Sequence, residues 1–273
     1  VELTHAPRHR IARVDRAFYV PDGDGFVATE LTRGPWDAGS QHAGPPCALL
    51  GRTLDGAGGL EHAQLARVTY EILRPVPIAR LETAAAVVRP GRNVELVEGV
   101  LSHDGEDVIR ARAWRIRTTD LDPEHVAREP RPIPGPETAR VKEFFPTGWD
   151  VGYHSAMEVR FVDGGFTEPG PARAWMRMRV PLIAGEEPAG RDRVLVAADS
   201  GNGVSAPLDY RRYLFINTDL TVNLRRLPAG EWVCLDAVTY PGSNGIGLSD
   251  TALHDEAGMI GRATQALLVA ERS

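Results

Sequence analysis

Gly34-Pro-Trp-Asp-Ala-Gly-Ser-Gln-His-Ala-Gly-Pro-Pro-Cys-Ala-Leu-Leu-Gly-Arg52 divides into a polar, turn-rich loop and a short helix with almost no polar face. Gly44 suits the N-cap, and Pro45 suits the first helical position, where its missing N–H costs nothing. Cys47, Ala48, Leu49, Leu50 and Leu54 then cover every side of the helix. A helix that is apolar all round is buried all round. Gly51 allows another backbone close approach, at a cost of about 1 kcal/mol relative to Ala. A loop carrying Trp36, Asp37, Gln41 and His42 that feeds such a helix predicts a binding site at the helix N-terminus.

Working outward, residues 17–20 and 26–31 read as short strands around Pro21-Asp-Gly-Asp-Gly25. Beyond the breaker Gly56-Ala-Gly-Gly59 come four strand patterns, at residues 64–73, 80–88, 93–102 and 107–118. Their short turns imply an antiparallel meander. Residues 119–148 change composition: Pro123, Pro130, Pro132, Pro134 and Pro136 lie among charges and predict a linker over a surface.

The same order then recurs. Strand patterns at residues 156–162 and 173–180 precede an apolar helical segment at 192–198, which ends in Asp199-Ser-Gly-Asn-Gly203. Four more strands follow, at 214–225, 231–240, 245–254 and 259–270. His103-Asp104 returns as His254-Asp255 and Pro90-Gly91 as Pro241-Gly242, both offset by 151, while Leu73-Arg74 returns as Arg225-Arg226 at 152. A duplicated strand–strand–helix–four-strand unit predicts a pseudo-dimer. The expected class is α+β, a double hot-dog in which each of two helices is wrapped by curved antiparallel sheet. The expected units are residues 1–118 and 149–273, joined by 119–148.

Composition sets the outer limits. Apolar content of 42% and charged content of 25% are those of a soluble globular protein. A net charge of −6 argues against a nucleic-acid or membrane-surface protein. No apolar run approaches the ~18 residues of a membrane span, and residues 1–10 carry no apolar h-region of a signal peptide. Cys47 and Cys234, both in apolar segments, predict buried reduced thiols and a cytoplasmic protein. Neither has companions at zinc-ligand spacing, and the eight His residues are scattered. Exposed sheet edges make a homodimer of such units plausible.

Trp36-Asp37, Gln41-His42-Ala43-Gly44-Pro45-Pro46, Leu73-Arg74-Pro75-Val76-Pro77, Arg89-Pro90-Gly91-Arg92 and Ala198-Asp199 resemble the TesB-like double hot-dog acyl-CoA thioesterases. The resemblance extends over residues 25–269 and implies hydrolysis of an acyl-CoA thioester without a metal or other cofactor, at a site between the two halves. It further implies three polar side chains that orient the attacking water: an Asp, a Thr or Ser, and a Gln. The Asp corresponds to Asp199 and the Gln to Gln265. The hydroxyl position departs from the family, since Asn217 stands there with Thr218 one residue away and Thr221 further along. Asp199 is the expected general base, with Gln265 and either Asn217 or Thr218 fixing the water. Gln41, His42 and Gly44 are the expected substrate-binding residues, with backbone N–H groups near Gly44 polarising the thioester carbonyl.

Two residue-level arguments stand apart from the resemblance. Asp199 follows the apolar run Val194-Leu-Val-Ala-Ala198, where an unpaired carboxylate would be costly to bury. Gln265 interrupts an apolar terminal strand, and the offset of 151 makes Trp114 its first-half counterpart. Two rival readings remain. Asp37 and His42, separated by four residues, resemble the Asp–His pair of hot-dog enoyl-CoA hydratases, although Ala-Gly-Ser-Gln lies between them in place of the Asn-Pro of those enzymes. The other rival is an acyl-binding hot-dog without chemistry, for which Asn217 is the main support.

Overall fold

The computed structural model describes residues 16–121, 132–143 and 147–272. The lead-in at residues 1–15 and the prolines Pro123 and Pro130 lie outside the described residues. The first half contains β1 (Tyr19–Asp22), β2 (Gly25–Ala28), helix α1 (Gly44–Ala57), β3 (Ala63–Ile72), β4 (Arg80–Arg89), β5 (Val94–His103) and β6 (Glu106–Arg117). The second contains the one-turn helix α2 (Tyr153–Ala156), β7 (Met157–Gly165), β8 (Glu168–Met178), α3 (Gly190–Ala198) and the one-turn α4 (Gly201–Val204). It ends with β9 (Tyr213–Asn217), β10 (Asp219–Leu224), β11 (Val233–Pro241), β12 (Ile246–Asp255) and β13 (Gly258–Glu271). No described helix is long and apolar enough to cross a membrane.

The strands form one sheet in the order β1-β2-β4-β5-β6-β3-β10-β13-β12-β11-β8-β7, with β9 also paired to β13. Read from either end, the order is the same: β7-β8-β11-β12-β13-β10 repeats β1-β2-β4-β5-β6-β3. The halves meet where β3 pairs antiparallel with β10. There Thr69 lies opposite Thr221, 152 positions later, with their hydroxyls 3.1 Å apart. Gly44 of α1 meets Val196 of α3, also 152 positions later, so closely that a Cβ on Gly44 would lie 2.3 Å from the Val196 carbonyl oxygen. A residue that touches its own counterpart marks a two-fold relation between the halves.

Strand pairing therefore sets the repeat at 152, not 151. His103 pairs with Glu106 across the first hairpin, and Asp255, not His254, takes the corresponding place opposite Gly258. A one-residue slip exchanges the two faces of a sheet. The first-half counterpart of Gln265 is thus buried Ala113, and the assignment to Trp114 is corrected. Two further expectations shift. Ala43, not Gly44, is the N-cap of α1, and the segment expected as one strand over 214–225 is two strands, β9 and β10.

Alternation with period two puts Glu95, Val97 and Leu101 of β5 on the buried face. Leu49, Leu50 and Leu54 of α1 join Leu195, Val68, Leu220 and Val222 in one core cluster spanning both halves. Gly51 admits side chains, not backbone: a Cβ there would lie 2.4 Å from Leu195 Cδ1 and 2.7 Å from Tyr70 Oη. Ile133 and Ala139 of the Pro-rich segment pack on a smaller cluster of Trp175, Trp232 and Cys234, and Trp175 Nε1 donates to the Pro134 carbonyl at 2.8 Å. Cys47 and Cys234 are buried free thiols, and burial pushes both up in pKa.

A charged network crosses this apolar interior. Glu95 and Arg115 form an ion pair between β5 and β6, with side chains 3% and 8% exposed. Glu95 also accepts from the backbone N–H groups of Gly59 and Leu60, each at 3.2 Å. Arg115 Nε donates to Asp55 of α1 at 3.1 Å, and Asp55 accepts from Arg191 Nη1 of α3 at 2.7 Å. The network ties the first-half sheet to both central helices.

Candidate active site

Asp199 caps the C-terminal end of α3 and is 7% exposed. Its Oδ1 accepts from Asn217 Nδ2 at 2.9 Å and from Gln265 Nε2 at 3.1 Å. Its Oδ2 lies 3.1 Å from Nδ1 of His42. The second half thus supplies the carboxylate and both amides, and the loop before α1 supplies the imidazole. Gln265 Nε2 also donates to the Asp199 carbonyl at 3.2 Å, and its Oε1 accepts from the Asn202 backbone N–H at 3.3 Å. These partners fix the orientation of the Gln265 amide.

A bulge selects Asn217 over Thr218. Leu220, Val222 and Leu224 of β10 point inward, so an unbroken strand would also turn Thr218 inward. However, β13 pairs with Thr221 through Thr264 and with Asn217 through Leu267, three steps against four. The extra residue exchanges faces, turning Asn217 toward Asp199 and leaving Thr218 exposed, 3.5 Å from the Ala266 carbonyl. Bulges beside functional sites commonly re-aim a side chain in this way. Thr221 is occupied at the Thr69 contact on the pseudo-two-fold.

The His42 ring stacks on Tyr153 of α2, with centroids 3.7 Å apart and 7° between planes. The Tyr153 hydroxyl donates to the Val196 carbonyl at 2.9 Å and lies 2.9 Å from Ser200 Oγ. The Gly44 N–H, at the start of α1, points to His42 Nδ1 at 3.1 Å. Burial pushes the His42 pKa down, and the neighbouring Asp199 carboxylate opposes that shift. Burial pushes the Tyr153 phenol up.

Of these groups His42, Tyr153, Asp199, Ser200 and Asn217 line the polar end of a cavity of about 380 Å3. Its apolar wall includes Trp36, Met157, Val159, Phe166, Met176 and Phe215. A mostly apolar pocket with a few convergent polar groups is the usual form of a small-molecule site. Gln41 also lines it, but its amide is engaged: Oε1 accepts from Tyr19 Oη and Nε2 donates to the Pro77 carbonyl, both at 2.6 Å. Asp37 does not share a hydrogen bond with His42; its Oδ1 accepts from Gly39 N at 3.0 Å and Ser40 Oγ at 2.8 Å within its own loop. Tyr153 and Asn202 were not picked out from the sequence as site residues. Asn202 sits in Asp199-Ser-Gly-Asn-Gly203, which reads only as a turn, and Tyr153 carries no sequence signal at all. The step of 152 maps Asp199, Asn217 and Gln265 onto Cys47, Leu65 and Ala113, all buried, so the first half has no second copy of the cluster.

The structure is similar to a hot-dog protein of Alicyclobacillus acidocaldarius, with TM-score 0.73 and 16% identity over 99% of this chain and 100% of that one. A structure described as a thioesterase II of Thermobifida fusca aligns with TM-score 0.70 and 17% identity over 94% of this chain and 97% of that one. The tesB protein of Mycobacterium avium subspecies paratuberculosis aligns with TM-score 0.62 and 14% identity over 90% and 93%. These likenesses establish the hot-dog fold. No curated protein matches the chain. Residues 32–116 match the family profile described as the acyl-CoA thioesterase N-terminal domain, and residues 128–269 match that of the C-terminal domain. With more than half of its length matched by the C-terminal profile alone, the chain belongs to the acyl-CoA thioesterase family.

Proposed function

We propose that the protein is a double hot-dog thioesterase that hydrolyses an acyl-CoA thioester in the cavity beside Asp199. In this reading residues 1–118 and 149–273 are the two hot-dog units, and residues 119–148 connect them. The observation that carries it is the buried Asp199 carboxylate, held by Asn217 and Gln265 and facing His42 at the polar end of an apolar cavity. Thioester hydrolysis needs an activated water, an acceptor for its proton and donors for the developing oxyanion. The cluster is assigned the first two roles, and the Gly44 N–H at the start of α1, which meets His42 Nδ1, is assigned the third. Pro45 and Pro46 carry no N–H, so among the first three residues of α1 only Gly44 offers a backbone donor. The apolar wall receives the acyl chain. A hydratase using Asp37 with His42 gains no support, because Asp37 is committed to its own loop.

The direct test is free-thiol release from a panel of acyl-CoA esters of increasing chain length, including an aromatic acyl group. Release with at least one member is expected. Binding without release across the panel would instead favour a non-catalytic acyl-binding protein. The bulge adds a sharper expectation. Asn217→Ala should lower kcat clearly, because Asp199 loses a half-buried hydrogen bond to its carboxylate, a kind that contributes ~1.5–3 kcal/mol. Thr218→Ala should leave kcat unchanged, and paired kinetics on the two variants check this.

A further inference from the structure

His42 Nδ1 faces two groups that make opposite demands on it. The Gly44 N–H, at 3.1 Å, needs an acceptor, and Asp199 Oδ2, also at 3.1 Å, needs a donor when ionised. One ring nitrogen cannot serve both. An ionised carboxylate decides in favour of Nδ1–H, which leaves Nε2 with a free lone pair. It also leaves Nδ1 unable to accept from the Gly44 N–H. The ring cannot easily turn away, since it is stacked on Tyr153, whose hydroxyl is anchored on Val196 and Ser200. Asp199 meanwhile receives three protein donors, the arrangement of a carboxylate that holds an imidazole in one orientation.

We propose, building on the hydrolytic reading above, that His42 is the general base, taking the water's proton on Nε2 while Asp199 acts as its positioning residue. The water oxygen bonds to the acyl carbon as its proton passes to Nε2, and the carbonyl oxygen, now an oxyanion, takes the Gly44 N–H. Collapse of the intermediate breaks the C–S bond, and Nε2–H protonates the departing sulfur. The products are a carboxylic acid and a free thiol, and His42 returns to its neutral form with no change of oxidation state.

The charged and titratable groups that line the cavity with His42 are Asp37 and Arg74 from the first half, Tyr153 and His154 from α2, and Asp199 from the end of α3, and, after burial itself, the Asp199 carboxylate also raises the pKa of the buried Cys47 thiol of α1. Burial holds His42 neutral to lower pH than an ordinary His. The value of kcat/KM should therefore rise with pH through a midpoint below about 6.5.

The test compares wild type, His42→Gln and His42→Ala on a substrate that the wild type hydrolyses, with thermal melts to verify folding. We expect kcat to fall about 10²–10⁴-fold in both variants and the acidic limb to disappear in His42→Gln. Added imidazole should restore part of the activity of His42→Ala and none in Asp199→Asn. Folded His42 variants with wild-type kcat, or with lost activity, an unchanged limb and no imidazole rescue, would overturn the proposal while leaving hydrolysis in place. A wild type inert toward every acyl-CoA would overturn the hydrolytic reading itself, and the proposal with it.

Discussion

Asp199→Asn is expected to lower kcat about 10²–10⁴-fold, with a folded protein and a smaller change in KM. The substitution removes one negative charge and keeps the shape of the side chain. Its amide can no longer hold His42 Nδ1–H as a carboxylate does. It also brings an NH2 group toward Asn217 and Gln265, which both donate to Asp199 Oδ1. A second effect follows at the ring. Without the carboxylate, Nδ1 is free to accept the Gly44 N–H, and the proton moves to Nε2, where the lone pair is needed. Steady-state thiol-release kinetics on wild type and variant measure the loss. A variant that retained wild-type kcat would remove Asp199 from the chemistry.

Glu95→Ala is expected to be the most damaging single substitution for stability among those considered, at about 3–5 kcal/mol. Among the described residues it leaves the Arg115 guanidinium, 8% exposed, with only Asp55 as a charged partner, and it strips the Gly59 and Leu60 N–H groups of their acceptor. For a chain near this size each kcal/mol lowers Tm by about 2–4 °C, so a fall of about 10 °C should be visible in a thermal melt. The loss should also weaken the junction between the halves, because Arg115 and Arg191 share Asp55. An unchanged Tm would show that the network contributes little.

Much of the fold was legible because local chemistry and global position agree. The apolar girdle of α1 and the meander of β3 to β6 could be read from side-chain pattern alone. So could the helical run ending at Asp199, and the recurrence of the whole unit. The register of the repeat was not legible. The shared spelling His-Asp at 103–104 and 254–255 suggests 151, whereas the backbone pairing that defines the register gives 152. That difference moves the counterpart of Gln265 from Trp114 to Ala113, across the faces of the sheet.

The site was half legible. A lone Asp after an apolar run and a Gln in an apolar strand are conspicuous, because each needs a buried partner. That the two would meet at 3.1 Å is a tertiary fact that no spacing encodes. The choice among Asn217, Thr218 and Thr221 depended on a single extra residue. The strand pattern gives no sign of it, although β3 has a matching irregularity at Ala66, 152 positions before Thr218. His42 was visible as a polar residue ahead of α1, but its pairing across the pseudo-two-fold with Asp199, not with nearby Asp37, was not. The opening loop thus meets the second half at the Asp199 carboxylate.

The most direct measurement is a crystal structure of the Asp199→Asn variant with an intact acyl-CoA bound. The account predicts the acyl chain against Phe166, Phe215 and Met176 and the thioester carbon beside His42, with the Gly44 N–H held on His42 Nδ1 in this variant. A thioester bound outside this cavity, for example in the cleft on the other sheet face lined by Arg67, Glu98 and Arg112, would contradict it.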